Sequence, residues 1–371
     1  MYLERLAVTG LRNLDEVDIQ LGSGANLFYG INGSGKTSLL EAVYLLSRGR
    51  SFRTRNLKSV IHHQRQKCTC FGSLVDQSGL QPPVGIGVSR GDSGEFQFRI
   101  AGEPVHTASQ LSETLPLQLF NSESFLLLEG SPSHRRRFLD WGVFHVEHDY
   151  RELWGRFQRC LKHRNSLLRH GRIDPLQLAV WDREFVQVSL RIAEYRRHYL
   201  EAFHPVFVET CIALGVDNSL TLSLLAGWDQ QYDLEDLLKE NVAKDRKAGH
   251  TLLGPHRADI RLQVEGKLAS EILSRGQAKM LVTALKIAQG IYLQRQKGRK
   301  CLYLLDDLPA ELDANHRQRV GKLLDSLDVQ VLMTGVEKVD LQASWPEPDV
   351  AAETNSVKMF HVEQGCVRDV S

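Results

Sequence analysis

The 371-residue chain has little cysteine and no recognisable cysteine framework. Of its six cysteines only Cys68 and Cys70 lie close together, and their Cys-x-Cys spacing fits no zinc-finger or zinc-ribbon template. Scattered thiols in a chain of this size indicate a reduced, cytosolic protein. A chain this long can bury a core large enough to fold without disulfides or a structural metal.

Long hydrophobic runs are also missing. No stretch approaches ~18 uninterrupted apolar residues, so we expect no membrane-spanning helix, and the first residues lack the apolar core of a signal peptide. We therefore expect a cytoplasmic protein with no membrane partner. The 46 Lys+Arg and 45 Asp+Glu nearly cancel, which excludes a protein that is basic along its whole length but allows a local basic patch.

The distribution of apolar residues predicts an α/β protein whose chain is interrupted by a helical segment. Alternating apolar residues, as at Val17, Ile19 and Leu21, are typical of half-buried strands. Amphipathic patterns predict helices over about 133–146, 149–169, 175–203 and 232–247. We therefore expect a head of mixed sheets flanked by helices, built from residues 1–118 and 250–371, with an inserted, mainly helical second lobe at 119–249.

A complete phosphate-binding motif lies between a predicted strand and a predicted helix. The eight residues that match G-x-x-x-x-G-K-[ST] are Gly30, Ile31, Asn32, Gly33, Ser34, Gly35, Lys36 and Thr37. Glycines let backbone amides turn toward phosphates, and the start of the helix adds positive potential. We expect Lys36 to reach the β- and γ-phosphates of ATP and the Thr37 hydroxyl to ligate Mg²⁺.

Two acidic residues follow a second predicted strand, Leu302–Leu305. An aspartate at the end of a strand often only caps the next turn, but a P-loop in the same chain favours a role in metal binding and hydrolysis. We expect Asp306 to hold Mg²⁺, directly or through water, and Asp307 to act as a general base or to position the attacking water.

Three further segments resemble the motifs of ABC-type ATPases. Leu273–Gln277 (LSRGQ) resembles the ABC signature LSGGQ, with Arg275 in place of the first glycine, and Pro309–Asp313 resembles the D-loop. Leu11–Leu14 resembles an element of the SMC-like branch in which an arginine, here Arg12, approaches the nucleotide. The resemblance implies that Ser274 and Gln277 belong to the nucleotide site of a head-to-tail dimer, with the Ser274 hydroxyl on the γ-phosphate.

The distance between these motifs distinguishes the members of the superfamily. Lys36 and Ser274 are 238 positions apart, more than in a transporter ATPase and far fewer than in an SMC head with its coiled coil. The segment Gly130–Pro132, the Arg136–Asp140 block and Leu253–Arg257 are similar to blocks of the RecF family, and the resemblance covers the entire chain. Asn121–Glu123 departs from the family, which often has Pro-Glu there, so the lid at that point is not predicted.

Membership of the RecF family implies an ATPase of DNA repair and replication. The implied protein binds single-stranded DNA and gap junctions, dimerises on ATP, hydrolyses ATP slowly, and helps RecO and RecR to load RecA. Sequence-specific DNA recognition is not expected, because no helix-turn-helix or zinc-finger pattern is present. The alternatives are an ABC transporter ATPase subunit, which the insert length disfavours, and a small-molecule kinase, which needs neither signature nor D-loop.

The predicted lobe carries an excess of positive charge. Residues 131–200 hold 14 Lys+Arg and 8 Asp+Glu, which favours contact with DNA phosphates, although a solvated helix surface is the simpler interpretation. The candidate DNA-binding residues are Arg135, Arg136, Arg137, Arg164, Arg169, Arg196 and Arg197. We also expect Arg136 or Arg137 to pair with Asp140, so that only some of the set would touch DNA.

Overall fold

The computed structural model describes residues 1–77, 80–169, 175–216, 220–346 and 357–371. The chain forms two compact units. The first contains residues 1–124, 213–215 and 279–371, and the second contains residues 125–212 and 216–278. None of the helices in the described ranges is long and apolar enough to cross a membrane.

Strands and helices are numbered here in chain order. The strands are β1 (Tyr2–Leu11), β2 (Leu14–Gln20), β3 (Ala25–Tyr29), β4 (Lys67–Val75), β5 (Val84–Gly91), β6 (Phe96–Ile100), β7 (Glu103–Val105), β8 (Leu117–Phe120), β9 (Leu220–Leu225), β10 (Asp259–Val264), β11 (Lys267–Leu268), β12 (Leu302–Leu305), β13 (Val331–Gly335), β14 (Lys358–Glu363) and β15 (Cys366–Asp369). The α-helices are α1 (Lys36–Arg48), α2 (Ala108–Thr114), α3 (Leu126–Glu129), α4 (Pro132–Val146), α5 (Tyr150–Arg169), α6 (Pro175–Leu214), α7 (Leu234–Ala248), α8 (Ala269–Ile272), α9 (Arg275–Lys297), α10 (Leu308–Glu311), α11 (Ala314–Ser326) and α12 (Lys338–Ala343).

A largely parallel sheet forms the centre of the first unit. Its strand order is β15-β14-β3-β13-β12-β8, and only β15 is antiparallel to its neighbour. Phe28 of β3 and Phe360 of β14 are fully buried and stack with ring centroids 4.8 Å apart. Because β3, β12 and β13 are parallel, their carboxyl ends lie at the same edge of the sheet. The P-loop, the two aspartates and Thr334 therefore meet at that edge.

A second, antiparallel sheet of the first unit has the strand order β2-β1-β4-β5-β6-β7. The predicted alternation is confirmed in β2, where Val17 and Ile19 are buried and Asp18 is exposed. Buried side chains of β1, β2 and β4 share one hydrophobic cluster with those of α1. The helix that follows the P-loop is thus fixed by the core on its buried face.

The second unit combines the predicted helices with a small sheet. Helices α4 to α7 confirm the four predicted helices, and α6 extends beyond the predicted end at 203 to Leu214. It continues through Pro205 because Phe203, Val206 and Phe207 remain buried on either side of the proline. Burial of these side chains compensates for the backbone hydrogen bond that a proline cannot donate.

The end of the second unit differs from the predicted boundary at residue 249. The unit continues to Ala278 because β9, which was not predicted, pairs antiparallel with β10 and gives the strand order β11-β10-β9. This pairing joins residues 250–278 to the helical segment, whereas the sequence pattern placed them in the head. Residues 250–278 include Ser274 and the segment that resembles the ABC signature.

Candidate nucleotide site

The P-loop of the first unit has a backbone that only its glycines can adopt. At Gly30 a Cβ atom would lie 2.1 Å from the carbonyl oxygen of Val362 in β14, so any side chain would collide with backbone. At Gly35, φ is 121° and a Cβ atom would lie 3.0 Å from the Leu14 side chain. The loop therefore turns sharply between β3 and α1, as a phosphate-binding loop requires.

The Lys36 side chain lies against its own loop. Its Nζ donates hydrogen bonds to the carbonyl oxygens of Gly30, at 2.6 Å, and Ile31, at 2.9 Å. Burial lowers the pKa of Lys36, while the carboxylates of Asp307 and Asp306 act in the opposite direction. The ammonium group is thus held in the loop, close to both acids, where a phosphate would share it.

Thr37 and Asp306 form the candidate metal site. The Thr37 hydroxyl donates to Asp306 Oδ1 at 3.0 Å, and the Thr334 hydroxyl donates to the same oxygen at 3.0 Å. Burial raises the pKa of Asp306, and the hydrogen bonds from Thr334 and Thr37 oppose this shift. A hydroxyl and a carboxylate are oxygen donors that suit Mg²⁺, whose remaining ligands would be water and phosphate oxygens. The donor set therefore fits Mg²⁺.

Asp307 occupies a different environment from its neighbour. Its backbone is left-handed, with φ 53° and ψ 43°, and it precedes α10. Its amide donates to the Thr334 hydroxyl at 2.8 Å. The two acids thus differ in backbone conformation and in hydrogen-bond partners, which is compatible with separate roles in hydrolysis and in metal binding.

Sequence reasoning missed two residues that hold this site. The Asn13 side chain donates to the Gly33 carbonyl at 3.1 Å and accepts from the Ser38 hydroxyl at 2.9 Å, so it connects the loop to α1. Thr334 contacts both aspartates from β13. Asn13 lies in the segment Leu11–Leu14, which resembles a known motif but drew attention only to Arg12. No motif in the sequence marks Thr334 as a site residue.

Lys286 of α9 supports the strand beside the two aspartates and was also missed. It is partly buried and donates to the Leu119 carbonyl and, at 2.7 Å, to the Ser124 hydroxyl. Burial lowers the pKa of Lys286 to about 7, with a smaller effect from Arg48. The neighbouring Phe120 carbonyl accepts the Asp306 amide at 2.8 Å. Lys286 thus contacts Leu119 and Ser124, which lie on either side of the segment 121–123 that departs from the family pattern.

Arg12 is held by an acidic residue of α1. Its guanidinium forms two hydrogen bonds of 2.9 Å to the carboxylate of Glu41, which is fully buried, and a third of 2.7 Å to the Ser59 carbonyl. Glu41 follows Thr37 by one helical turn, so Arg12 is tied to the P-loop helix. Its approach to a nucleotide stays a prediction.

The signature segment of the second unit forms a reciprocal helix cap. The Gln277 amide donates to Ser274 Oγ at 3.3 Å, and the Ser274 amide donates to Gln277 Oε1 at 2.9 Å. All residues from Ser274 to Gln277 are exposed. The cap uses the Ser274 hydroxyl as an acceptor, so its proton remains available for donation to a phosphate. Capping and the predicted γ-phosphate contact are therefore compatible.

The structure corrects the predicted DNA-binding set at Arg164 and Arg196. Arg164 is fully buried and donates to the carboxylates of Asp182 and Asp245, at 2.6 Å each. Arg196 is 1% exposed and pairs with Asp140 at 2.7 Å. Enclosed guanidinium groups with carboxylate partners stabilise the fold of the second unit and cannot contact DNA on its surface.

The other five arginines of the set differ in exposure. Arg135 forms two hydrogen bonds to the Asp259 carboxylate, and Arg136 donates to the Ala258 carbonyl at 2.8 Å. Arg137, Arg169 and Arg197 are exposed. The predicted pairing of Arg136 or Arg137 with Asp140 was wrong, because Asp140 is bound by Arg196 instead.

Comparisons with known proteins show the family to which the chain belongs. The family described as RecF/RecN/SMC N terminal domain matches residues 2–366. The DNA replication and repair protein RecF of Pseudomonas paraeruginosa is 48% identical over 367 residues, which cover 99% of this chain and 97% of that protein. The chain belongs to the RecF family. RecF of Cellvibrio japonicus is also 48% identical, over 99% of both chains.

Solved structures show the same fold at lower identity. The structure described as the recombination mediator protein RecF-ATPrS in the RecFOR pathway covers 100% of this chain and 98% of its own, with a TM-score of 0.85 and 24% identity. An Smc head bound to the C-winged helix domain of ScpA gives a TM-score of 0.59 at 15% identity, covering 100% of this chain and 97% of that one. The predicted fold class, an ABC-type ATPase head with an inserted, mainly helical second lobe, is confirmed.

Proposed function

We propose that this RecF-family protein is an ATP-dependent DNA-binding protein of recombinational repair and replication-fork maintenance. The observation that carries the proposal is the joint geometry of Lys36, Thr37 and Asp306 at one sheet edge. It occurs in a chain that is 48% identical to a DNA replication and repair protein.

The ligand of the P-loop is ATP with Mg²⁺. The amides at 33–37 and the start of α1 surround the phosphates, and Lys36 exchanges its two loop carbonyls for phosphate oxygens. Thr37 and Asp306 hold Mg²⁺, which offsets charge on the phosphates. Asp307 positions or deprotonates the attacking water. Hydrolysis is slow and serves as a switch, and the signature segment at Ser274 is exposed and therefore accessible to a partner protomer.

ATP drives the formation of a homodimer. In a head-to-tail pair, Ser274 and Gln277 of one protomer meet the γ-phosphate that the partner holds. The start of α9 adds positive potential there, and Arg275 adds a cation. ADP lacks the γ-phosphate, so hydrolysis releases the pair.

The macromolecular ligands are single-stranded DNA and the junctions of gapped duplexes, bound without sequence specificity. The named relatives act in DNA replication and repair, and a solved relative is described as part of the RecFOR pathway. This supports RecO and RecR as partners, with RecA loaded downstream.

The test is gel filtration and ATP hydrolysis measured with and without a gapped DNA duplex. We expect a shift from monomer to dimer with ATP and Mg²⁺ but not with ADP, binding of the gapped duplex, and stimulated hydrolysis. The proposal would be contradicted by a protein that remains monomeric with ATP and Mg²⁺ and whose rate of ATP hydrolysis is the same with and without DNA.

A further inference from the structure

Three hydrogen bonds hold the turn at residues 255–257 of the second unit. The Arg196 guanidinium donates to the Pro255 carbonyl at 2.8 Å, and the Arg136 guanidinium donates to the Ala258 carbonyl at 2.8 Å. The Arg257 amide closes the turn on the Gly254 carbonyl at 2.8 Å. Two arginines of the lobe, which sequence reasoning assigned to DNA, thus hold the backbone on both sides of Arg257.

Arg257 itself is exposed, and its guanidinium makes no hydrogen bond or ion pair with any residue in the described part of the chain. Two acidic side chains of this region are bound by other residues. Asp259 accepts two hydrogen bonds from Arg135, and Asp140 accepts from Arg196 and from the Tyr150 hydroxyl. Neither Asp259 nor Asp140 is therefore paired with Arg257.

Other arginines lie close to the turn of Arg257. Burial lowers the pKa of Arg136, and the nearby cations Arg196 and Arg257 lower it further. Burial also lowers the pKa of His256 to about 4, and Arg257 and Arg136 add to this effect. An exposed cation on a fixed backbone, with other cations nearby and no ion pair of its own, gains most from a ligand that is an anion.

The adjacent helices contribute two more exposed cations. Arg137 follows Arg136 on α4, and Arg197 follows Arg196 on α6. Both are exposed. The hydrogen bonds of Arg136 and Arg196 connect α4, α6 and the turn of Arg257, and each of these three elements carries an exposed arginine.

We propose that Arg257 is a phosphate-binding residue that contacts the DNA backbone from this turn, an inference that rests on the proposed function. The ligand chemistry is a phosphodiester oxyanion, which a guanidinium binds through two parallel hydrogen bonds. A backbone contact carries no sequence information, so Arg257 adds affinity for every DNA sequence alike.

The experiment compares Arg257→Ala with Arg191→Ala. Arg191 is an exposed arginine of α6 that is paired with Glu194 at 3.4 Å. Both substitutions remove one positive charge, but only Arg257→Ala removes an unpaired guanidinium. Binding to a fluorescent gapped duplex is measured by anisotropy at several salt concentrations with ATP and Mg²⁺. We expect Arg257→Ala to weaken binding roughly fivefold to tenfold at 0.1 M salt and to reduce the salt slope by about one. Arg191→Ala is expected to keep the wild-type slope, and Arg257→Lys to recover most of it.

The outcomes separate this site from the proposed function. Wild-type protein that binds no DNA would overturn the proposed function together with this site. If the wild type binds DNA and Arg257→Ala binds it with the same affinity and slope, Arg257 is only a solvated cation and the inference fails. If Arg257→Ala keeps its DNA affinity but no longer dimerises with ATP, the bound anion is a nucleotide phosphate of the second copy, which also overturns the inference.

Discussion

Lys36 and the aspartates show how single side chains prepare the nucleotide site. The Lys36 ammonium donates to carbonyl oxygens of its own loop, and one oxygen of Asp306 accepts hydrogen bonds from two threonine hydroxyls. These contacts keep buried polar groups satisfied until a phosphate and a cation replace them. Substitution of these side chains is therefore expected to change both ligand binding and the stability of the fold, and the two effects can be measured separately.

Replacing Lys36 with methionine is expected to lower ATP affinity on the order of tenfold or more, because a charge-assisted contact with the phosphates is lost. The carbonyls of Gly30 and Ile31 also lose their donor, so the free energy of unfolding falls by about 1 kcal/mol. Calorimetric titration with ATP and thermal unfolding measure the two effects. Lys36→Arg, which keeps the charge, is the control, and an unchanged affinity in Lys36→Met would refute the assignment.

Asp306→Asn is expected to damage Mg²⁺-dependent ATP binding while stabilising the nucleotide-free protein. Burial raises the pKa of Asp306, so between its usual and its raised value the folded state binds more protons than the unfolded state. Stability therefore falls as the pH rises through that window, and the ionised carboxylate is unfavourable at neutral pH. We expect the melting temperature of Asp306→Asn to exceed that of wild type by roughly 1–3 °C at neutral pH and the difference to disappear in acid.

Asp307→Asn is expected to behave differently from Asp306→Asn. Asparagine tolerates the left-handed backbone at this position, so the turn and the ATP affinity should be retained. Hydrolysis should slow by a factor on the order of 100 or more, because a general base or water-positioning group is lost. Single-turnover hydrolysis and ATP titration of both variants decide the matter. If the two variants lose the same property, the division of roles between the acids is wrong.

The helices of the second unit are held together by buried ion pairs. Arg164 of α5 reaches Asp182 of α6 and Asp245 of α7, and it also donates to the Thr251 hydroxyl at 2.8 Å. Three helices and the segment that leads to β10 therefore share one buried cation. Truncation of such a group leaves two carboxylates without their partner.

Arg164→Ala is expected to cost about 3–5 kcal/mol of stability. Arg197→Ala, a change of the same residue type at an exposed position, should cost less than about 0.5 kcal/mol. Denaturant unfolding measures both. Equal stabilities would show that the Arg164 network does not support the lobe, and any loss of DNA binding in Arg164→Ala is to be attributed to unfolding.

The proposed assembly of two chains would depend on the exposed signature segment. Ser274→Arg is expected to leave ATP binding by the monomer nearly intact, because the P-loop lies in the other unit, and to block the ATP-dependent dimer and most hydrolysis. Sedimentation in the analytical ultracentrifuge with ATP and Mg²⁺ measures the dimer.

Ser274→Asp is the matched control for the helix cap. Aspartate caps a helix as well as serine does, but its charge would repel a γ-phosphate. We expect Ser274→Asp to fold normally and to remain monomeric with ATP. A Ser274→Arg protein that dimerises like wild type would refute the contact between protomers.

Three features were predictable from the sequence alone: the P-loop, the strand with its two aspartates and most of the helices. Each of them depends on neighbours within a few residues. Eight contiguous residues set the loop geometry, and the period of apolar residues sets each helix. The packing of the second unit, in contrast, shows that Arg196 is buried while Arg197 beside it is exposed, since the difference lies in which face of α6 is covered. The tertiary structure likewise shows that β9 pairs with β10 and that Asn13 and Thr334 support the site, which the sequence pattern could not indicate because those contacts join residues far apart in the chain.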